Sequence, residues 1–245
     1  MRNYMVGIVI GAIAVLTFGS TAFSQDTKPS TTAKSQSWSP RDISGTWMGL
    51  KFGAIIQGDI SFQPWGKARY DAFVNLGDAR SQHDPRRDCF PLGMPRNMYE
   101  PVPIEIIQQP DQVVILMEND HIFRHIFLDL ADHPKDVNAS WMGHSIGKWD
   151  GDTLVVDTVA LRPETFLDAA GHPHSDALHL VERIHRVDAD TLDDTLVIDD
   201  LKAYTRPWSM QKTYKLKPGW HVMEYVCEDE WTDKLKKYFP DANSK

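Results

Sequence analysis

Four charged or titratable side chains sit on strand faces otherwise made of aliphatics, and each is a candidate for chemistry because burying such a group unpaired costs several kcal/mol. Arg124 shares the face of Ile122, Ile126 and Leu128, and Glu182 that of Leu178, Leu180 and Ile184. His144 lies with Met142 and Ile146, the opposite face carrying Gly143, Ser145 and Gly147, and Glu118 follows Val114 and Leu116. If the aliphatic faces point inward, a guanidinium, an imidazole and a carboxylate from separate strands converge in one lumen. His144, able to titrate near neutral pH, would face a carboxylate whose pKa burial raises, giving an acid/base pair with Glu182 as base and His144 as acid. Arg124 would hold a substrate carboxylate or enolate, or keep one Glu ionised. The competing arrangement is a structural Glu182–Arg124 ion pair with His144 hydrogen-bonded to backbone. Buried ion pairs are poor stabilisers, which favours the functional lumen.

The longest aperiodic stretch after residue 130 runs from Leu161 to Ala177 and holds Asp168, His172, His174 and Asp176. Loops at a barrel mouth are where substrate-facing residues tend to sit. His172-Pro-His174 with Asp168 offers ligands to a divalent metal but lacks an assigned third, and reads equally well as a turn with solvated imidazoles. The expectation is therefore no metal and no cofactor, with Glu118, Trp141, Asp168, His172, His174 and Tyr204 as substrate contacts. The chain contains no Gly-x-Ser-x-Gly elbow, Walker loop, dinucleotide fingerprint, His-Glu-x-x-His or Cys-x-x-Cys. Serine hydrolases, kinases and NAD enzymes lose ground accordingly.

The elements that must position these groups are mostly strands. Ile104 to Gln108 and Val113 to Glu118 flank Gln109-Pro110-Asp111, and His144 to Trp149 and Thr153 to Thr158 flank Asp150-Gly151. Leu178 to Val187 and Thr195 to Asp199 flank an Asp-rich turn, and Trp208 to Leu216 and His221 to Cys227 flank Pro218-Gly219. Such hairpins in series predict an all-β domain of about eight to eleven strands, an antiparallel up-and-down β-barrel or strongly curved sheet, because closure removes the exposed edges of a long meander. One or two short helices are expected, at Pro64 to Leu76 and Glu230 to Tyr238.

The 245 residues are 42% hydrophobic, enough for a sizeable core, and carry 26 Lys plus Arg against 34 Asp plus Glu, a net charge of −8. An acidic chain gives no electrostatic case for nucleic acid or an anionic membrane as partner. Arg2, the apolar run Met5 to Phe18 and the small residues around Ala22-Phe23-Ser24 read as a secretory signal peptide over residues 1–24. Residues 25–40 read as a disordered linker, and 41–240 as a single barrel domain. The expected location is the periplasm or the exterior, with no membrane association after cleavage. Export makes a disulfide available to Cys89 and Cys227, the chain's two cysteines.

Ser44-Gly45-Thr46-Trp47 resembles the first-strand Gly-x-Trp of lipocalins and other calycin barrels, which implies a Trp plugging the closed end of a barrel. A longer run, Trp141-Met-Gly-His-Ser-Ile-Gly-Lys-Trp-Asp-Gly-Asp-Thr-Leu-Val-Val-Asp-Thr158, is similar to a family of exported bacterial proteins of uncharacterised activity. The similarity extends through Asp84-Pro85, Cys89-x-Pro91-x-Gly93-x-Pro95-Arg96, Arg124 and His133-Pro134, and on to His174-Ser175, Glu182 and Tyr204. It implies export and a barrel-like fold and brings no activity with it. Leu161-Arg162 departs from the family pattern, which touches the mouth loop.

The function these readings favour is an exported enzyme that works by proton transfer, a lyase, hydratase or isomerase, on a small, mostly apolar organic molecule in the lumen. The alternatives are a lipocalin-like carrier in which the same groups only orient a lipophilic ligand, and a metal-dependent hydrolase using His144, His172 and His174.

Overall fold

Three of the four hairpins read from the turns form, and their registers send every second side chain into a closed ring. The structure, a computed structural model, describes residues 38–227. Its strands are β1 (Gly45–Gly49), β2 (Ile55–Gln57), β3 (Ile104–Gln108), β4 (Gln112–Met117), β5 (Phe123–Phe127), β6 (His144–Asp150), β7 (Thr153–Val159), β8 (His179–Arg186), β9 (Thr191–Asp199) and β10 (Trp208–Leu216). Two short helices are α1 (Pro64–Val74), begun by the proline that suits a first helical turn, and α2 (Arg80–His83). Neighbours run β1-β3-β4-β5-β6-β7-β8-β9-β10, and β1 pairs back onto β10, so nine of the strands described close a barrel. The short β2 adds to β10 outside that ring.

The sheet is mixed, where an up-and-down antiparallel ring was expected. β5 and β6 run parallel, paired only through Ile126 with Ser145 and Phe127 with Ile146. A parallel return needs a crossover far longer than a hairpin turn, and residues 128–143 supply it. β9 starts at Thr191, four residues earlier than the Asp-rich turn suggested, because Asp193 and Asp194 continue the alternation and pair with His185 and Ile184. His221 to Cys227 form no strand: β10 is already flanked by β9 on one side and by β1 and β2 on the other. The helix expected at Glu230 to Tyr238 and the signal peptide lie outside the described residues. Among the described residues no helix is long and apolar enough to cross a membrane.

Trp47 is fully buried, donates from Nε1 to the Ile43 carbonyl at 2.9 Å, and has the Arg186 guanidinium 5.4 Å from its ring. Arg186 in turn donates to the carbonyls of Asp42, Asp188 and Ala189, so the pair seals the end of the barrel where the β8–β9 turn lies. The interior is filled by the chain itself. Leu92 to Glu100 are buried throughout, with the Met98 carbonyl accepting from Tyr214 Oη at 2.8 Å and the Tyr99 carbonyl from Lys212 Nζ at 3.2 Å. The open lumen expected for a guest is therefore occupied by a plug of the protein's own residues.

Cys89 and Cys227 form a disulfide across 138 positions, tying the irregular strap after β10 to the turn that follows Asp84. Loop closure of that length restricts the unfolded chain by about 5 kcal/mol. Cys89→Ser should lower the free energy of unfolding by about that amount, read from urea titrations of oxidised wild type and variant; unchanged stability would contradict a structural role for the bond.

Candidate functional site

Inside the barrel, Arg124 reaches across four strands. Its Nη1 donates to Glu182 Oε1 at 2.8 Å and its Nη2 to Glu182 Oε2, while Nε and Nη2 donate to Ser145 Oγ at 3.2 and 3.1 Å and Nη2 also to Thr158 Oγ1 at 2.9 Å. Arg124 and Glu182 are 1% and 0% exposed, so this is a dry, bidentate pair. Burial opposes the charge on Arg124, and the Glu182 carboxylate more than offsets it, raising the guanidinium pKa. Asp194 lies near the pair, fully enclosed, and neither of its carboxylate oxygens has a hydrogen-bond partner. Burial first, then the Glu182 charge, pushes its pKa far up, which favours its neutral form, while Glu182 pairs with the cation. Each guanidinium nitrogen is engaged, and only the second hydrogen of Nη1 has no hydrogen-bond partner among the described residues.

His144 is elsewhere. Ser145 and Gly147 face inward, and a Cβ at Gly147 would stand 2.8 Å from Ile126 Cγ2 and from Leu128 Cδ2. His144 and Ile146 consequently face outward, and the proposed contact of His144 with Glu182 does not exist: the two side chains lie on opposite sides of the sheet. The reason is the Arg124–Ser145 contact, which requires the small-residue face of β6 to be the inner one.

On the outer face, His144 joins a cluster that sequence reasoning did not assemble. His144 Nδ1 lies 2.7 Å from His133 Nδ1, His133 Nε2 lies 2.9 Å from Asp157 Oδ1, and His179 Nε2 lies 2.8 Å from Asp157 Oδ2. The ring of His144 also stacks on Phe127, 5.1 Å away. Partial burial works against ionisation of Asp157, but the hydrogen bonds from His179 and His133 outweigh it and lower its pKa. For His144, burial, then the neighbouring His133 and His125, push the pKa below 6.5. Beside this chain of groups is a cleft of about 360 Å³ floored by Ile146, Val155 and Val181 and walled by His133, Asp157 and the crossover residues Ala131 and Asp132, with Lys148 at its rim. Asp157 and His179 are on neighbouring strands, while His133 arrives on the crossover, so only the sheet register and the chain path unite them. The signal available in sequence was Asp157 interrupting Val-Val-Asp-Thr-Val on the outward positions.

The remaining predicted contacts are dispersed. Asp168 accepts from the backbone of Ala170 and His172 and from His172 Nδ1 at 2.6 Å, while the His172 ring packs against Tyr70, Phe62 and Trp208. His174 is buried, its ring nitrogens bonded to Thr165 Oγ1 and the Ser175 carbonyl. Tyr204 is fully buried with its hydroxyl on the Pro173 carbonyl at 2.6 Å. These residues stitch the loop together, and among the described residues no group of three His, Cys, Asp or Glu side chains is placed to hold a metal ion. Trp141 carries the Arg162 guanidinium 4.3 Å from its ring, and Glu118 accepts from the Met223 backbone at 3.0 Å, anchoring the strap.

No family model and no curated protein matches the chain. Among solved structures it is similar to secretory abundant heat soluble protein 4 from Ramazzottius varieornatus, at 12% identity and a TM-score of 0.36, over 74% of this chain and 99% of that one.

Two outcomes follow from these geometries. Glu182→Gln leaves a buried cation without its counter-charge and should cost about 3–5 kcal/mol in a urea titration, whereas the paired change Arg124→Met with Glu182→Leu should recover much of it. A fully stable single variant would show that the pair is not the brace described. Stability should also fall as pH drops: the unfolded chain protonates His144 and His174 near 6.5, while in the folded state both pKa values are depressed, so unfolding takes up protons. Calorimetry should show Tm decreasing from pH 7 through that range and the contribution levelling off below the depressed values; a Tm independent of pH there would contradict it.

Proposed function

We propose that this chain is an exported β-barrel protein that binds a small, mostly apolar organic molecule bearing one hydrogen-bonding group, held outside the barrel in the cleft between the β5–β6 crossover and the outer face of β6–β8. The observation that carries this reading is the apolar floor of Ile146, Val155 and Val181 beside the His133–Asp157 pair, in a volume at the lower end of small-molecule sites. The floor supplies the burial that drives association, and the polar wall fixes orientation. Export is supported by the Cys89–Cys227 bond, a linkage that persists in oxidising compartments. Val181→Trp should fill the cleft and abolish binding of the fluorescent apolar probe anilinonaphthalene sulfonate without lowering Tm. Retained binding by that variant would remove the cleft from consideration.

A second reading, proton transfer at His144, next to His133 of the cleft wall, is favoured by the order of the hydrogen bonds. An ionised Asp157 accepts only, so His133 donates to it through Nε2–H and, when neutral, presents a bare lone pair at Nδ1. His144 must then donate through Nδ1–H, which leaves its own Nε2 as the base; among the described residues that atom has no hydrogen-bond partner. A proton gained at Nε2 is stabilised through His133 by the Asp157 carboxylate, the division of labour seen wherever an acid orients an imidazole. In this reading His144 acts as the base, where the acid role was expected of it, with His133 and Asp157 in place of Glu182 and Arg124. The probe is 5-nitrobenzisoxazole, from which a base takes the carbon-bound proton as the N–O bond opens to a cyanophenolate. His144→Gln should lower its turnover by about 10²–10⁴-fold while leaving probe binding intact, and wild-type turnover should rise with pH to a plateau, with its midpoint below 6.5. Equal turnover by both proteins leaves a carrier.

A further inference from the structure

We propose a second ligand site, for a small oxyanion carrying a carboxylate or phosphate group, in the concavity between the Asp84–Cys89 turn and the strap end at Tyr225 and Cys227. This region corresponds to the Asp84-Pro85, Cys89 and Arg96 motif, which the outer cleft does not use. The concavity measures about 650 Å³ and is lined by Ser81, Asp84, Asp88, Tyr225, Cys227 and the guanidiniums of Arg86, Arg87 and Arg96.

In a chain of net charge −8, three arginines gather at one hollow, balanced by Asp84, Asp88 and, behind the lining, Glu100. The donors are only partly spent. Arg96, 5% exposed, grips Asp84 through two bonds of 3.0 and 2.7 Å, but its Nε is buried with no hydrogen bond, the nearest carboxylate oxygen, Glu100 Oε1, being 3.7 Å away. Arg86 gives one Nη to Glu100 at 2.9 Å and keeps the rest of its fork. Arg87 and Asp88 make no ion pair among the described residues. Guanidinium forks match the spacing of carboxylate and phosphate oxygens, and the Ser81 and Tyr225 hydroxyls can complete the shell. The wall at Cys227 is held by the disulfide, so the site is formed only in the oxidised protein.

Calorimetric titration of the intact, oxidised chain with inorganic phosphate and, separately, benzoate tests this. Saturable one-to-one binding of either is expected, phosphate marking a tetrahedral preference and benzoate a planar one. Arg87→Ala, which removes an exposed and unpaired side chain, should weaken it about tenfold, whereas Arg183→Ala on the outer face of β8 should leave it unchanged. Dithiothreitol should abolish it. The proposal is overturned if neither probe saturates, if Arg87→Ala binds as wild type, or if the affinity survives reduction.

Discussion

The molecule depends on one buried contact, the guanidinium of Arg124 against the carboxylate of Glu182. The ring of strands is weakest where β5 meets β6, joined in parallel through two residue pairs only. Across that seam Arg124 binds Ser145 on β6, Thr158 on β7 and Glu182 on β8, so one side chain spans the place where backbone pairing is shortest. Isolated buried ion pairs add little net stability, yet they fix register well when every donor is answered. Because Ser145 has to look inward to meet Arg124, His144 has to look outward. The cleft on the far side of the sheet is a consequence of the brace on the near side.

Titratable groups are thereby sorted into two environments. Within the barrel the plug of Leu92 to Glu100 shuts out solvent, so burial favours the neutral form of Asp194 and drives the hydroxyls of Tyr99 and Tyr214 far from ionisation. Lys212, next to the plug, is brought by burial to about 8 while its ammonium donates to the carbonyls of Lys51, Gly53 and Tyr99. Outside, Asp157 is ionised and aligns two histidines. The interior groups brace the fold, while the partly exposed His133, Asp157 and His179 stand on the outer face.

What the sequence made legible was whatever depends on local pattern. Turns such as Asp150-Gly151 and Gln109-Pro110-Asp111 marked the hairpins, the count of two cysteines marked the disulfide, and the need to hide edges marked closure. The aliphatics around Arg124 and Glu182 correctly flagged their burial. The same rule misplaced His144, because Ile146 beside it is also covered, by the crossover segment rather than by the barrel interior, and alternation alone cannot tell one shelter from the other. The better clue was the glycine and serine stripe on the opposite face of β6, whose smallness makes room for Arg124 and for Ile126. Asp193 and Asp194 read as turn residues because carboxylates are seldom buried, and Asp194 departs from that rule at a site that favours its neutral form. His133, Asp157 and His179 share no sequence spacing that could announce them.

The stretch from Leu128 to Gly143 has two duties that cannot be separated. It is the covalent detour that lets β6 lie alongside β5 in the same direction, and it is also the roof over the histidine cleft. A guest that lifts the roof must therefore pull on the seam, and slack in the seam must loosen the grip on the guest. Occupancy of the outer cleft and closure of the ring are two readings of one mechanical variable.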